Sequence, residues 1–70
     1  MSSDAGVLEG AAAAVREAQE GLYAARRRLT AAVVAAYEEK EPVARIAERT
    51  GRTVIDVQNM LTAAGAFRGL

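Results

Sequence analysis

The chain has no cysteine and no histidine. The first absence excludes disulfides, and the two together remove the usual zinc frameworks. They also remove the commonest general acid–base and nucleophilic side chains. Serine occurs only as Ser2 and Ser3, the carboxylates are scattered, and no glycine-rich phosphate loop is present. The expectation is a protein that is not an enzyme, with no cofactor, no metal and no small-molecule ligand. Proline occurs once, as Pro42, so little interrupts helix. No apolar run approaches the roughly 20 residues of a membrane span. Met1-Ser2-Ser3-Asp4 lacks the basic segment of a secretory signal. A cytoplasmic protein that avoids membranes is expected.

What remains is 70 residues, enough for one domain with a thin core. Domains this small usually need a metal, disulfides or a partner subunit. Only the partner subunit is left. Alanine makes up about a quarter of the chain, which with a single proline points to an all-α fold. Lys40 is the only lysine beside many arginines, a bias of GC-rich bacterial genomes. The formal net charge is zero, which counts against promiscuous nucleic-acid binding, since non-specific affinity is almost entirely electrostatic. The charge is nevertheless uneven. Acids outnumber bases up to Pro42, whereas from Val43 onward Arg45, Arg49, Arg52 and Arg68 face only Glu48 and Asp56.

Four segments follow. Residues 1–6 read as a flexible N-terminus, with Ser3 or Asp4 as a candidate helix cap. Residues 7–41 read as a long helix, interrupted only by Gly21 at a cost of about 1 kcal/mol relative to alanine. Residues 42–65 read as two short helices about a turn, and residues 66–70 as a tail in which Phe67 tucks against the core.

The long helix carries a heptad. Leu8, Val15, Leu22, Leu29 and Ala36 recur every seven residues, and Ala11, Ala18, Ala25 and Ala32 follow three positions later. This is a seam with large residues at one position and alanine at the other. At 1.5 Å per residue the helix is a rod of about 50 Å, longer than the rest of the chain can cover. An exposed apolar stripe marks an association surface. A homodimer through Leu8, Ala11, Val15, Ala18, Leu22 and Ala25 is expected, parallel or antiparallel. The competing reading folds the chain back at Gly21, but one residue is too short for a helical hairpin. Arg26, Arg27 and Arg28 then solvate the rod beside the seam or contact a nucleic-acid backbone.

After the rod, Pro42 disfavours helix at Glu41 and suits the first turn of the next helix. That helix places Val43, Ile46, Ala47 and Thr50 on one face. Gly51 is positioned to end it in a left-handed conformation. Thr53 and Asp56 form a capping arrangement for a third helix, which buries Val54, Val57, Met60 and Leu61 and ends near Gly65. Two short helices about a tight glycine-containing turn form a helix-turn-helix. Ala47 is the small residue that lets the helices approach.

The run from Val43 to Leu61 resembles the helix-turn-helix of bacterial repressors and site-specific recombinases, nearest to the DNA-binding domain of Hin-like resolvases and invertases. Ile46, Ala47, Gly51, Val57 and Met60 match its anchor positions. The likeness covers about 20 of the 70 residues, and the catalytic recombinase domain has no counterpart. It implies a three-helix DNA-binding architecture, with the last helix in the major groove of double-stranded DNA. Thr53, Val54, Ile55, Gln58 and Asn59 then face base edges, with a bias toward A·T pairs. Arg45, Arg49 and Arg52 are candidates for phosphate contacts, or for ordinary surface pairs, Glu41 with Arg45 and Glu48 with Arg52. No Lys or Arg lies between Thr53 and Ala64, so a dimer on two half-sites is the expected working form. The expectation is a transcriptional regulator associated with the bacterial nucleoid. The alternative is a protein-interaction module, such as an antitoxin, a sigma-factor regulator or a phage or plasmid accessory protein, using the same scaffold and the alanine-rich helix.

Overall fold

The computed structural model describes the backbone of residues 2–67 and the side chains of residues 6–67. Arg68 and the end of the expected tail lie outside the described residues. The fold is all-α: a long helix α1 (Ser2–Glu38), then α2 (Val43–Thr50) and α3 (Val54–Ala63), with no strand among the described residues. α1 passes through Gly10 and Gly21 without a break, which removes the hairpin reading. A side chain at Gly21 would meet nothing within 4 Å, so only helix propensity opposes it there. The helix starts at Ser2 rather than Val7, because nothing between Ser2 and Gly6 breaks a helix.

All three helices end in the same way. After α1, Lys40 N–H donates to Tyr37 O at 2.9 Å and Glu41 N–H to Ala36 O at 3.1 Å. After α2, Gly51 donates to Glu48 O and Arg52 to Ala47 O. After α3, Gly65 donates to Thr62 O and Ala66 to Leu61 O. Each is a Schellman closure, in which a left-handed residue turns the chain and satisfies carbonyls the helix leaves open. Lys40, Gly51 and Gly65 have φ of 74°, 70° and 73°. Glycine enters that region freely, and lysine does not.

The starts are set differently. Pro42 is extended and precedes α2 as its cap, with no side-chain bond, rather than forming its first turn. Thr53 caps α3 as expected, its Oγ1 accepting from Asp56 N–H at 3.0 Å. The Thr50 hydroxyl bonds back to Ile46 O and Ala47 O, so a polar residue at the core margin keeps its donor satisfied.

Val33, Ile46, Ala47, Val57 and Leu61 form the buried core, flanked by Leu29, Val34, Ala36, Tyr37, Val43, Met60, Ala66 and Phe67. The Tyr37 and Phe67 rings meet at 5.9 Å, tilted by 47°, which places Phe67 on the core as expected. Val54 is not buried; it is 40% exposed. As the first residue of α3 it sits at the rim, and Val57 and Leu61 take the inward face. Met60 is half-buried.

The core is therefore a compact head built on the last third of α1. Of the residues from Gly6 to Arg28, all but Ala13 are exposed. The molecule measures 61 × 21 × 17 Å.

Candidate functional site

Two surfaces stand out, one on the head and one on the rod. On the head, burial of Val57 and Leu61 fixes the rotation of α3. At about 100° per residue, the opposite face carries Ile55, Asn59 and Thr62, all exposed. Ile55 is 66% exposed, the most uncovered large apolar side chain of the head. Thr53 and Val54 stand at the start of the helix but off this face, and the Thr53 hydroxyl is already engaged as the cap. Gln58 is half-buried; it lies on the flank rather than the crest. The structure thus brings Ile55 and Asn59 together and sets Val54 and Gln58, one turn apart, on the flank. It adds Thr62, which the sequence reading omitted. Its spacing of seven from Ile55 is the signal that would have found it.

Arg45 and Arg52 are exposed on α2 and in the turn. Arg49 is exposed but occupied: its Nη1 donates to both carboxylate oxygens of Glu41 at 2.7 Å. This is the one ion pair among the described residues. The expected pairs Glu41–Arg45 and Glu48–Arg52 do not form. Glu41 precedes the Pro42 cap and Arg52 follows the Gly51 turn, so neither pair lies within one helix and the four-residue rule does not apply. Instead the reversal at Lys40 turns Glu41 toward α2. Arg49, two turns along, reaches back in the direction in which helical side chains lean. The head therefore presents Arg45 and Arg52 against Glu48 and Asp56, a near-neutral surface.

On the rod, Leu8, Val15 and Leu22 are 71%, 56% and 50% exposed, and Ala11, Ala18 and Ala25 are exposed with them. Val7 extends the same strip. Leu29 and Ala36 continue its line into the core with Val33 beside them, while Ala32 stays exposed, so the apolar line that ends under the head is bare at the other end. The Arg27 guanidinium lies 5.9 Å from the Tyr23 ring centre, one helical turn apart on the polar side.

No group of metal-ligating side chains occurs among the described residues, and no helix is long and apolar enough to cross a membrane. Compared with known protein families, curated proteins and solved structures, the chain matches none.

Proposed function

We propose that this is a sequence-specific binder of double-stranded DNA, a transcriptional regulator that acts as a dimer through α1 and lays α3 in the major groove. The observation that carries the reading is the exposed line Ile55, Asn59 and Thr62 on a short helix held by a capped, glycine-closed turn. Asn59 offers the bidentate pattern that suits adenine, and Ile55 offers an apolar contact for a thymine methyl. Arg45 and Arg52 supply phosphate contacts that position α3 without specifying sequence. The resemblance of the segment from Val43 to Leu61 to bacterial helix-turn-helix proteins, including the recombinase type, supports the same reading. A cytoplasmic, nucleoid-associated place in a bacterial cell belongs to the same reading.

One head offers few cations, so two heads are needed for useful affinity. The apolar stripe Leu8, Ala11, Val15, Ala18, Leu22 and Ala25 supplies the contact between subunits. Fluorescence polarisation against random-sequence and genomic fragments, at low and physiological salt, tests the proposal. Binding to a subset of fragments that weakens with salt is the expected result. No binding to any fragment at either salt sinks it.

A second reading is favoured by one observation: the α3 crest of Ile55, Asn59 and Thr62 is uncharged and partly apolar, and on neighbouring α2 Arg49 is paired with Glu41. That surface suits a protein partner, and the chain would then be an interaction module. Its signature is capture of a protein by Ile55 and Asn59 together with failure of the DNA assay.

A further inference from the structure

We infer that two copies of this chain pair antiparallel along α1, in one register that sets Leu8 against Ala25 and Val15 against Ala18, with the two heads at opposite ends. The inference rests on the α1 dimer proposed above and adds its direction, its register and its consequence for DNA.

Three independent features point to this direction. The first is steric. The core adjoins the seam on α1: the head covers Leu29, Val33 and Ala36 and leaves Ala32 exposed at its margin. In a parallel pair the second rod, which continues unbroken to Glu38, would run into the space held by α2 and α3 of the first. In the antiparallel register only the first turn of the partner's helix, residues 2–4, reaches the level of residues 29–31, and the rest of each seam lies on the bare stretch before Leu29.

The second is packing. The seam has Leu8, Val15 and Leu22 at one heptad position and Ala11, Ala18 and Ala25 at the other. A parallel pair stacks large on large and alanine on alanine in alternate layers. The axes are then held apart by the leucines, and voids form at the alanines. An antiparallel pair sets one large residue against one alanine in every layer: Leu8 with Ala25, Ala11 with Leu22, Val15 with Ala18. Uniform layers allow close, void-free packing.

The third is charge. Along the bare stretch the acids Glu9, Glu17 and Glu20 come early with Arg16 among them, and the cluster Arg26, Arg27 and Arg28 comes late. A parallel pair gathers both arginine clusters at one level. The antiparallel register separates the two clusters; it sets Glu17 of one copy level with Arg16 of the other and Glu9 level with Ala24, one half-turn short of Arg26, exchanging repulsion for attraction.

The head packs on α1 between Leu29 and Tyr37, roughly 25 Å along the rod from the symmetry axis at 1.5 Å per residue. The two heads are then roughly 50 Å apart, more than the roughly 34 Å of one turn of B-DNA. Half-sites one turn apart cannot both be filled by such a dimer.

The absence of cysteine makes the test clean. Leu8→Cys and Ala25→Cys, both at exposed positions away from the head, are made as separate full-length proteins, mixed, oxidised mildly and read by intact mass. The expected product is the mixed Leu8→Cys/Ala25→Cys disulfide, with little product from Leu8→Cys alone. Efficient self-crosslinking of Leu8→Cys overturns the direction while leaving the dimer intact. A wild-type chain that sediments as a monomer at every concentration overturns the dimer itself. A spin label on Ala63→Cys gives a readout that needs no crosslink. A distance near 50 Å supports the antiparallel pair, and one below about 35 Å overturns it.

Discussion

The Arg49 guanidinium spans back to Glu41 across eight residues, one nitrogen donating to both carboxylate oxygens at 2.7 Å. Glu41 is 19% exposed on its side chain, so the carboxylate is held at the base of the head while the arginine lies over it. The pair links the α1–α2 turn to the last turn of α2. It also withdraws one of the head's few cations.

Removing the acid returns that cation. Glu41→Gln is expected to raise affinity for a DNA fragment and to steepen its salt dependence by about 0.9 in log–log slope, the increment for one further phosphate contact. Arg49→Ala in the wild-type background is expected to change the slope little. Polarisation titrations across a salt series check both. Equal slopes for wild type and Glu41→Gln would mean that Arg49 does not face DNA. The pair is a surface ion pair, and its loss should shift stability by no more than about 1 kcal/mol.

Lys40 holds the left-handed position that glycine holds after the other two helices. Lys40→Gly is expected to stabilise the head by about 0.5–1 kcal/mol, the relief of left-handed strain less the greater freedom of glycine in the unfolded chain. Thermal melts followed by circular dichroism would show a higher Tm. A lower Tm would show that the Lys40 side chain contributes more than its backbone strain removes.

Gly51 presents the reverse case. A Cβ there would meet nothing within 4 Å, so the loss in Gly51→Ala is conformational, about 1–2 kcal/mol. Gly51→Asn should recover part of it, because asparagine tolerates the left-handed region. Chemical denaturation of the three proteins gives the order Gly51, Asn, Ala. An alanine protein as stable as wild type contradicts the strain argument.

The head should separate packing from recognition. Leu61 is fully buried, and Leu61→Ala is expected to cost about 2–5 kcal/mol. Ile55→Ala, at the crest, should leave stability within about 0.5 kcal/mol. Asn59→Ala should do the same while reducing discrimination between preferred and random DNA by about 1–3 kcal/mol. Gln58→Ala, on the flank, should reduce it less. Comparing melting with binding selectivity across these four proteins assigns each residue. Unchanged selectivity in Asn59→Ala removes it from the reading face.

The legible parts of this fold are those where a residue type dictates backbone. Pro42, Gly51, Thr53 and Gly65 punctuate the head, and the helix ends fall beside them. The apolar period of α1 was equally plain, and its exposure on the rod followed from length alone. Lys40 was not legible, because nothing in a lysine announces a positive φ; that conformation is imposed by the packing of α2 against α1. The Arg49–Glu41 pair was not legible for a related reason. Its partners are neighbours only after the chain has turned at Lys40. The rotation of α3 was half legible: Val57 and Leu61 were expected inside, but Val54 was counted with them. The first residue of a short helix lies too near the rim for periodicity to place it.

The 61 Å length of the molecule has a hydrodynamic consequence. Its radius of gyration is 17.9 Å, against about 11 Å for a compact chain of this size. In gel filtration a single copy would migrate as a much heavier globular protein. An antiparallel pair, which thickens the rod more than it lengthens it, would migrate only slightly ahead. Elution volume is therefore a poor gauge of copy number for this shape, and sedimentation or light scattering, which report mass, must decide it.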